Sequence, residues 1–151
     1  MIINSKKSSF KSADDKLIEF IEYKPQDNIY SSIILVYEIF GMTNHIKNFG
    51  KSLAKKGFLV QIPDIFSRLE QDAVFDYNQE GLKKGLKCKE KLGWELPIMD
   101  IVSCASQLKL EYNVSCIGFC YGGSLSWIAA QKSFIFNASV CYYGSSIPDF
   151  L

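Results

Sequence analysis

Residues 118–123 read Gly-Phe-Cys-Tyr-Gly-Gly and separate two apolar segments of different character. Before the turn, Val114–Phe119 has the length and composition of a buried strand, and after it Ser124–Gln131 has the pattern of a short apolar helix. Glycines on both sides of Cys120 suit a tight turn in which a Cβ atom would collide with neighbouring backbone. The stretch therefore predicts a strand that delivers Cys120 directly to the start of a helix.

The same alternation of strands and helices is found upstream. Ser31–Tyr37 is a continuous run rich in apolar and β-branched residues, as expected of a strand that is covered on both faces. Asn44–Lys56 carries apolar residues at helical spacing and ends before Gly57, and Phe58–Ile62 is a second buried strand. We therefore predict an α/β fold, with a mostly parallel sheet and helices on both of its faces.

The N-terminal part of the chain has a different character from the buried strands. Residues 1–12 contain several lysines and serines without a continuous apolar segment, so we predict a polar, loosely ordered N-terminus and no signal peptide. Leu17–Tyr23 alternates weakly, which predicts an edge strand or an early antiparallel strand. The length suits one domain better than two, so residues 1–151 are predicted to form a single domain.

Composition and charge argue against several classes of partner. Seventeen basic and sixteen acidic side chains nearly balance, and no basic block is interleaved with aromatics, so we predict no nucleic-acid partner. The longest apolar stretch, Ile33–Tyr37, is far shorter than the ~20 residues that cross a bilayer, so no membrane partner is predicted. Five cysteines without a C-x-x-C pair predict reduced thiols in a cytoplasmic protein, with no metal site and no cofactor.

Cys120 is the predicted nucleophile. The Gly-x-Cys-x-Gly arrangement between a strand and a helix is a nucleophile elbow in which cysteine takes the position of serine. The N-terminus of the following helix directs N–H groups and a partial positive charge at the sulfur, which favours the thiolate. The N–H of Tyr121 is also placed to bind an oxyanion. A buried cysteine beside a glycine-rich turn is the alternative interpretation.

A second motif, Glu38-Ile39-Phe40-Gly41, follows the first central strand at its C-terminal end, where open α/β sheets bind ligands. A carboxylate at this position can reach the elbow, whereas a solvated loop carboxylate is the alternative. With both motifs in place, the chain from about Leu17 onward resembles the dienelactone hydrolase family, which is carboxymethylenebutenolidase-like and belongs to the α/β-hydrolase superfamily. That family has a similar E-I-F-G strand end and a similar G-F-C-x-G-G elbow.

This resemblance implies an enzyme that hydrolyses a small-molecule ester or lactone. The Cys120 thiolate would attack the carbonyl carbon and form an acyl-enzyme that water later releases. Glu38 would contact Cys120 in the resting enzyme and help to control its protonation, and the N–H groups of Ile39 and Tyr121 would form the oxyanion hole. Arg68, the only arginine, is a candidate ligand for a substrate carboxylate, the alternative being a solvated loop charge.

The chain departs from the family pattern after the elbow. In α/β-hydrolases the triad acid and histidine follow the nucleophile, yet residues 121–151 contain no histidine, and their only aspartate, Asp149, comes too early. His45 lies on the helix after the first central strand, where the family often has a histidine without a catalytic role. The sequence therefore predicts a C-terminally truncated α/β-hydrolase-type domain that lacks acid and base and is inactive or weakly active.

Two other functions stay open at this point. Proteins of the amidotransferase and DJ-1 superfamily also pair an elbow cysteine with a glutamate from an earlier strand. A chain without acid and base is also compatible with a non-catalytic remnant.

Overall fold

The computed structural model describes residues 1–151 and contains one six-stranded sheet. The strands are β1 (Ile3–Lys11), β2 (Leu17–Pro25), β3 (Ser31–Val36), β4 (Phe58–Pro63), β5 (Val114–Phe119) and β6 (Ala138–Tyr142). The helices are α1 (Asn44–Ala54), α2 (Gln79–Leu92), α3 (Glu95–Lys109) and α4 (Tyr121–Lys132). Short 3-10 helices cover Ile65–Arg68 and Ile147–Phe150.

The spatial order of the strands is β1-β2-β4-β3-β5-β6. β1 and β2 are antiparallel to their neighbours, whereas β4, β3, β5 and β6 run parallel to one another. β3 therefore lies in the middle of the parallel part, and the carboxyl ends of β3, β5 and β6 meet at one edge of the sheet. The predicted α/β fold is confirmed. None of the helices is both long and apolar enough to span a membrane.

The core surrounds β3, which lies between β4 and β5 and is buried along nearly its whole length. Ile33–Val36 are at most 4% exposed, as the continuous apolar run predicts. Just beyond the strand, the buried hydroxyl of Tyr37 donates a hydrogen bond to Asp64 at 2.9 Å and accepts one from the Phe66 N–H at 2.7 Å. Burial raises the pKa of Asp64 to about 6. These bonds fix the loop after β4 against the end of β3.

The prediction of a loosely ordered N-terminus was wrong. β1 pairs with β2 along its whole length, from Ile3 opposite Pro25 to Lys11 opposite Leu17. Within β1 only Phe10 is buried, and its ring packs against Phe20 with the two centroids 6.1 Å apart. Backbone pairing and one aromatic contact thus hold a strand whose composition is polar. β2 is consequently not an edge strand but lies between β1 and β4.

Candidate active site

The elbow is a single residue long. β5 ends at Phe119 and α4 begins at Tyr121, so Cys120 alone forms the turn between strand and helix. Its φ of 55° and ψ of −116° lie in a region that residues other than glycine rarely adopt. The Cys120 N–H donates to the Tyr142 carbonyl at 2.9 Å, and the Cys120 carbonyl accepts from the Ser124 N–H at 3.1 Å. Hydrogen bonds on both sides therefore hold the strained backbone, and the residue stays half-buried.

Three glycines allow the backbone to pack closely at the elbow. A Cβ atom on Gly118 would collide with the Gly122 carbonyl oxygen, and one on Gly122 would collide with the Val36 carbonyl oxygen. A Cβ atom on Gly123 would lie only 2.5 Å from the Tyr142 carbonyl oxygen. Each glycine is thus required by a backbone contact, which is the physical reason for the sequence motif.

Strand register brings three side chains to one edge of the sheet. One row of aligned residues crosses the parallel strands β3, β5 and β6: Val36, Gly118 and Cys141. Glu38, Cys120 and Tyr143 each lie two residues beyond that row. Because neighbouring strands are about 4.8 Å apart, the three side chains start close together, and Cys120 is in the middle.

Two phenols hold the Glu38 carboxylate. The Tyr143 hydroxyl donates to Oε1 and the Tyr77 hydroxyl donates to Oε2, each at 2.9 Å. The Tyr77 oxygen also shares a hydrogen bond with Thr43 Oγ1 at 2.9 Å, and its ring packs on Phe40 with the centroids 4.7 Å apart. The hydrogen bonds of the carboxylate therefore go to tyrosines on two different segments. The expected contact between Glu38 and the Cys120 thiol stays a prediction.

Tyr143 directly follows β6, the strand next to β5, which ends just before Cys120. Its φ of 40° is unusual for a residue with a side chain. Loss of hydration, the hydrogen bond to Glu38 and the negative charges of Glu38 and Cys120 raise the pKa of Tyr143 to about 12. The hydroxyl therefore keeps its proton at neutral pH and acts as a donor. The pKa of Tyr77 is also raised, by loss of hydration first and then by Glu38, against the lowering effect of Thr43.

The candidate oxyanion hole consists of backbone groups. Tyr121 is the first residue of α4, so its N–H has no acceptor within the helix. Ile39 follows Glu38 and is 3% exposed; α2 packs so closely on it that a Cβ atom on Gly85 would collide with the Ile39 carbonyl oxygen. Both peptides are thus fixed by packing, as a preorganised pair of donors requires. The role of the two N–H groups stays a prediction.

Arg68 does not belong to this site. Its Nε and Nη2 each donate to the Asp100 carboxylate at 2.7 Å, and its Nη1 and Nη2 donate to Asp14 at 2.8 and 2.9 Å. The Arg68 side chain is only 7% exposed and that of Asp100 is fully buried. Ser12 adds a hydrogen bond to Asp100 at 2.6 Å. Because its donors are engaged in a buried ion cluster, Arg68 is neither a substrate ligand nor a solvated loop charge, and both interpretations were wrong.

His45 is exposed at the start of α1, where its ring packs against Phe119 with the centroids 6.1 Å apart. This aromatic contact agrees with the structural role expected for it. No group of three or more histidine, cysteine, aspartate or glutamate side chains is arranged to hold a metal ion.

Comparison with known proteins gives the class of this chain. The strand order and the elbow define an α/β-hydrolase-type fold, and the crystal structure of a dienelactone hydrolase-like protein from Klebsiella pneumoniae subsp. pneumoniae superposes with a TM-score of 0.80 at 25% identity. That alignment covers 95% of this chain and 60% of the Klebsiella chain. Residues 18–150 match the model of the dienelactone hydrolase family, and the chain belongs to that family. The match decides against the amidotransferase and DJ-1 alternative.

Sequence relatives lead to the same family. A carboxymethylenebutenolidase-like protein of Salmonella typhi is 30% identical over 138 residues, which cover 90% of this chain and 51% of the relative. A similarly described protein of Synechocystis sp. is 28% identical over 124 residues, which cover 79% of this chain and 50% of the relative. The chain therefore spans about half the length of these curated relatives.

Proposed function

We propose that this chain carries the nucleophile and oxyanion hole of an enzyme that hydrolyses small-molecule esters or lactones. The observation that carries the proposal is the backbone of Cys120, which is held at a φ of 55° between β5 and α4. A strained residue at such a turn costs stability, so a function that requires the sulfur at this position explains why the strain is retained. Family membership supports the ester or lactone class of substrate.

The proposed reaction has two stages. The Cys120 thiolate attacks the carbonyl carbon, and the N–H groups of Ile39 and Tyr121 stabilise the resulting oxyanion. The tetrahedral intermediate then collapses to a thioester, and the alcohol leaves after taking up a proton. Water attacks the thioester in the second stage, releasing the carboxylic acid and restoring the thiol. Glu38 lies beside the thiol and influences its protonation.

The proton transfers need groups that residues 121–151 do not contain, since this segment has no histidine. A positioned general acid or base typically contributes ~10²- to 10⁴-fold to the rate. We propose that residues 1–151 by themselves turn over activated esters slowly, with acid and base supplied from outside them. A non-catalytic binding protein is the second candidate, which the absence of a histidine from residues 121–151 favours.

Turnover of p-nitrophenyl acetate distinguishes these possibilities. We expect residues 1–151 to show slow hydrolysis that Cys120→Ala abolishes, and we expect mass spectrometry to find an acyl group on Cys120. Cys141→Ala is the matched control, because this half-buried thiol lies on β6 and should not contribute. Fusion to the C-terminal segment of a relative is expected to raise the rate at least about 100-fold.

Three results would contradict the proposal. If Cys120→Ala leaves hydrolysis unchanged, Cys120 is not the nucleophile. If residues 1–151 are already as fast as complete relatives, the base lies within them. A chain without acylation at Cys120, even after extension, would favour the non-catalytic alternative.

We also propose a reducing compartment, the cytoplasm, for this protein. All five cysteines are free in the structure, and half-buried thiols such as Cys88 and Cys141 would be exposed to oxidation in a secretory environment.

A further inference from the structure

The hydrogen bond between Tyr143 and Glu38 crosses over the end of strand β5. β3 and β6 are not neighbours in the sheet, because β5 lies between them. Glu38 follows β3, Tyr143 follows β6, and Cys120 occupies the equivalent position after β5. The 2.9 Å bond between the two outer side chains therefore bridges the turn that carries the thiol.

The bridge is held by local backbone and by aromatic packing. Tyr143 adopts a φ of 40°, which turns the chain away from the strand direction immediately after Tyr142. The Tyr142 ring stacks on Phe119, with the centroids 4.8 Å apart and the planes 6° from parallel. The Tyr143 ring contacts the same Phe119 at 6.1 Å. Tyr143 is 61% exposed, so its hydroxyl is positioned by the ring contact with Phe119 and by the hydrogen bond to Glu38 rather than by burial.

Several titratable groups face this hydroxyl from different elements. Glu38 comes from the end of β3, Cys120 from the elbow and Tyr77 from the segment before α2. His45, on α1, packs against the aromatic ring next to the elbow. The Tyr143 hydroxyl thus donates its proton to the Glu38 carboxylate from the strand end next to the elbow that carries the thiol.

We propose that Tyr143 is a positioning residue for Cys120, whose hydroxyl holds the Glu38 carboxylate across the elbow and thereby favours the thiolate. This inference rests on the proposed function, because it assigns Tyr143 to the same site. The physical reason is electrostatic. A carboxylate without a donor presents its full negative charge to the neighbouring thiolate and disfavours it, whereas a hydrogen-bonded phenol offsets part of that charge. Tyr77 provides the same offset at the other carboxylate oxygen.

The rate of iodoacetamide alkylation at Cys120, measured against pH, tests this role in the 151-residue chain. We expect Tyr143→Phe to lower the rate at pH 7 by roughly threefold to tenfold and to move the pH midpoint upward, because one charge-assisted hydrogen bond is lost. In a Glu38→Gln background, the same substitution should change the rate by less than about twofold, since no carboxylate charge is left to offset. Tyr142→Phe is the matched control and should leave the profile unchanged.

The ring of Tyr143 is retained in Tyr143→Phe, so a role in packing alone predicts an unchanged profile. That result would overturn the inference, as would an equal shift in Tyr142→Phe or an undiminished effect in the Glu38→Gln background. The proposed function fails separately, if Cys120 in the unmodified chain is no more reactive than Cys141. Circular dichroism of each variant verifies that the fold is intact.

Discussion

Cys120 differs from the other cysteines in both conformation and surroundings. Cys104 and Cys116 are fully buried, and burial raises the pKa of the Cys104 thiol well above its ordinary value and that of Cys116 to about 12. Partial burial also raises the pKa of Cys88. Only Cys120 combines a half-buried position with the N-terminus of a helix. The five thiols should therefore differ widely in reactivity.

We expect iodoacetamide at pH 8 to modify Cys120 first in the folded protein. Cys104 and Cys116 should react at least about 100-fold more slowly, since burial raises the pKa of each thiol far enough to keep it almost entirely protonated at this pH. Peptide mapping by mass spectrometry measures the order, and the urea-unfolded chain, in which all five should react at similar rates, is the control. Early reaction of Cys88 or Cys104 with an inert Cys120 would remove the basis for the elbow assignment.

Among single residues, the sequence pointed to part of the candidate site. Cys120 and Glu38 could be predicted because each sits in a short motif at the end of a strand. Tyr77 and Tyr143 could not, because their contacts with Glu38 span 39 and 105 residues of sequence. The only local hint at Tyr143 is its position directly after the last strand and before Gly144. The partners of Arg68 could not be predicted from the local sequence either, because they lie on two other segments, the β1–β2 turn and α3.

The ion cluster around Arg68 links three elements of the fold: the β1–β2 turn, the 3-10 helix Ile65–Arg68 and α3. Asp100 is fully buried on α3, and its only compensating charge is the Arg68 guanidinium. Asp14 lies in the β1–β2 turn, and its hydrogen bond with Arg68 lowers the pKa of Asp14 to about 2. The cluster therefore fixes the N-terminal hairpin to the helical layer.

Arg68→Met is expected to lower the free energy of unfolding by about 3–5 kcal/mol, because it leaves the buried Asp100 without a counter-charge. The double variant Arg68→Met/Asp100→Leu should recover much of that loss, since it removes both buried charges. Urea unfolding at pH 7 measures the differences. Lys84→Met is the control, because its pair with Glu80 is exposed and 3.8 Å long and should contribute less than about 1 kcal/mol. Equal effects of Arg68→Met and Lys84→Met would contradict this account.

The strands and helices themselves were largely predictable, with β1 as the exception. β3 carries the continuous apolar run Ile33–Val36, and β4 is apolar except at Gln61. The burial of their apolar residues follows from the sequence. β1 carries lysines and serines, and its order comes from hydrogen bonds to β2 that no local pattern of residues 1–12 reveals. An element stabilised mainly by backbone pairing at a sheet edge leaves little hydrophobic signal in the sequence.

The two edge strands of the sheet differ in the side chains that they expose. β1 forms one edge and carries Lys6, Lys7 and Lys11, the kind of side chain that discourages pairing with another chain. β6 forms the other edge and pairs only with β5. On β6, Val140 is 42% exposed and Tyr142 is 45% exposed. The row of free backbone groups on β6 thus lies beside apolar rather than charged side chains.

Because β6 lacks the lysines that protect β1, we expect the 151-residue chain to self-associate through β6. Val140→Lys should lower the rate of light-scattering increase on warming several-fold, because a charge on an edge strand disfavours pairing with a second copy. Since Val140 is partly exposed, the substitution should change the free energy of unfolding by no more than about 0.5 kcal/mol, which urea unfolding can verify. Ser5→Lys on β1 is the matched control, because that edge already carries lysines, and it should have no effect. Unchanged scattering in Val140→Lys would show that association proceeds through another surface.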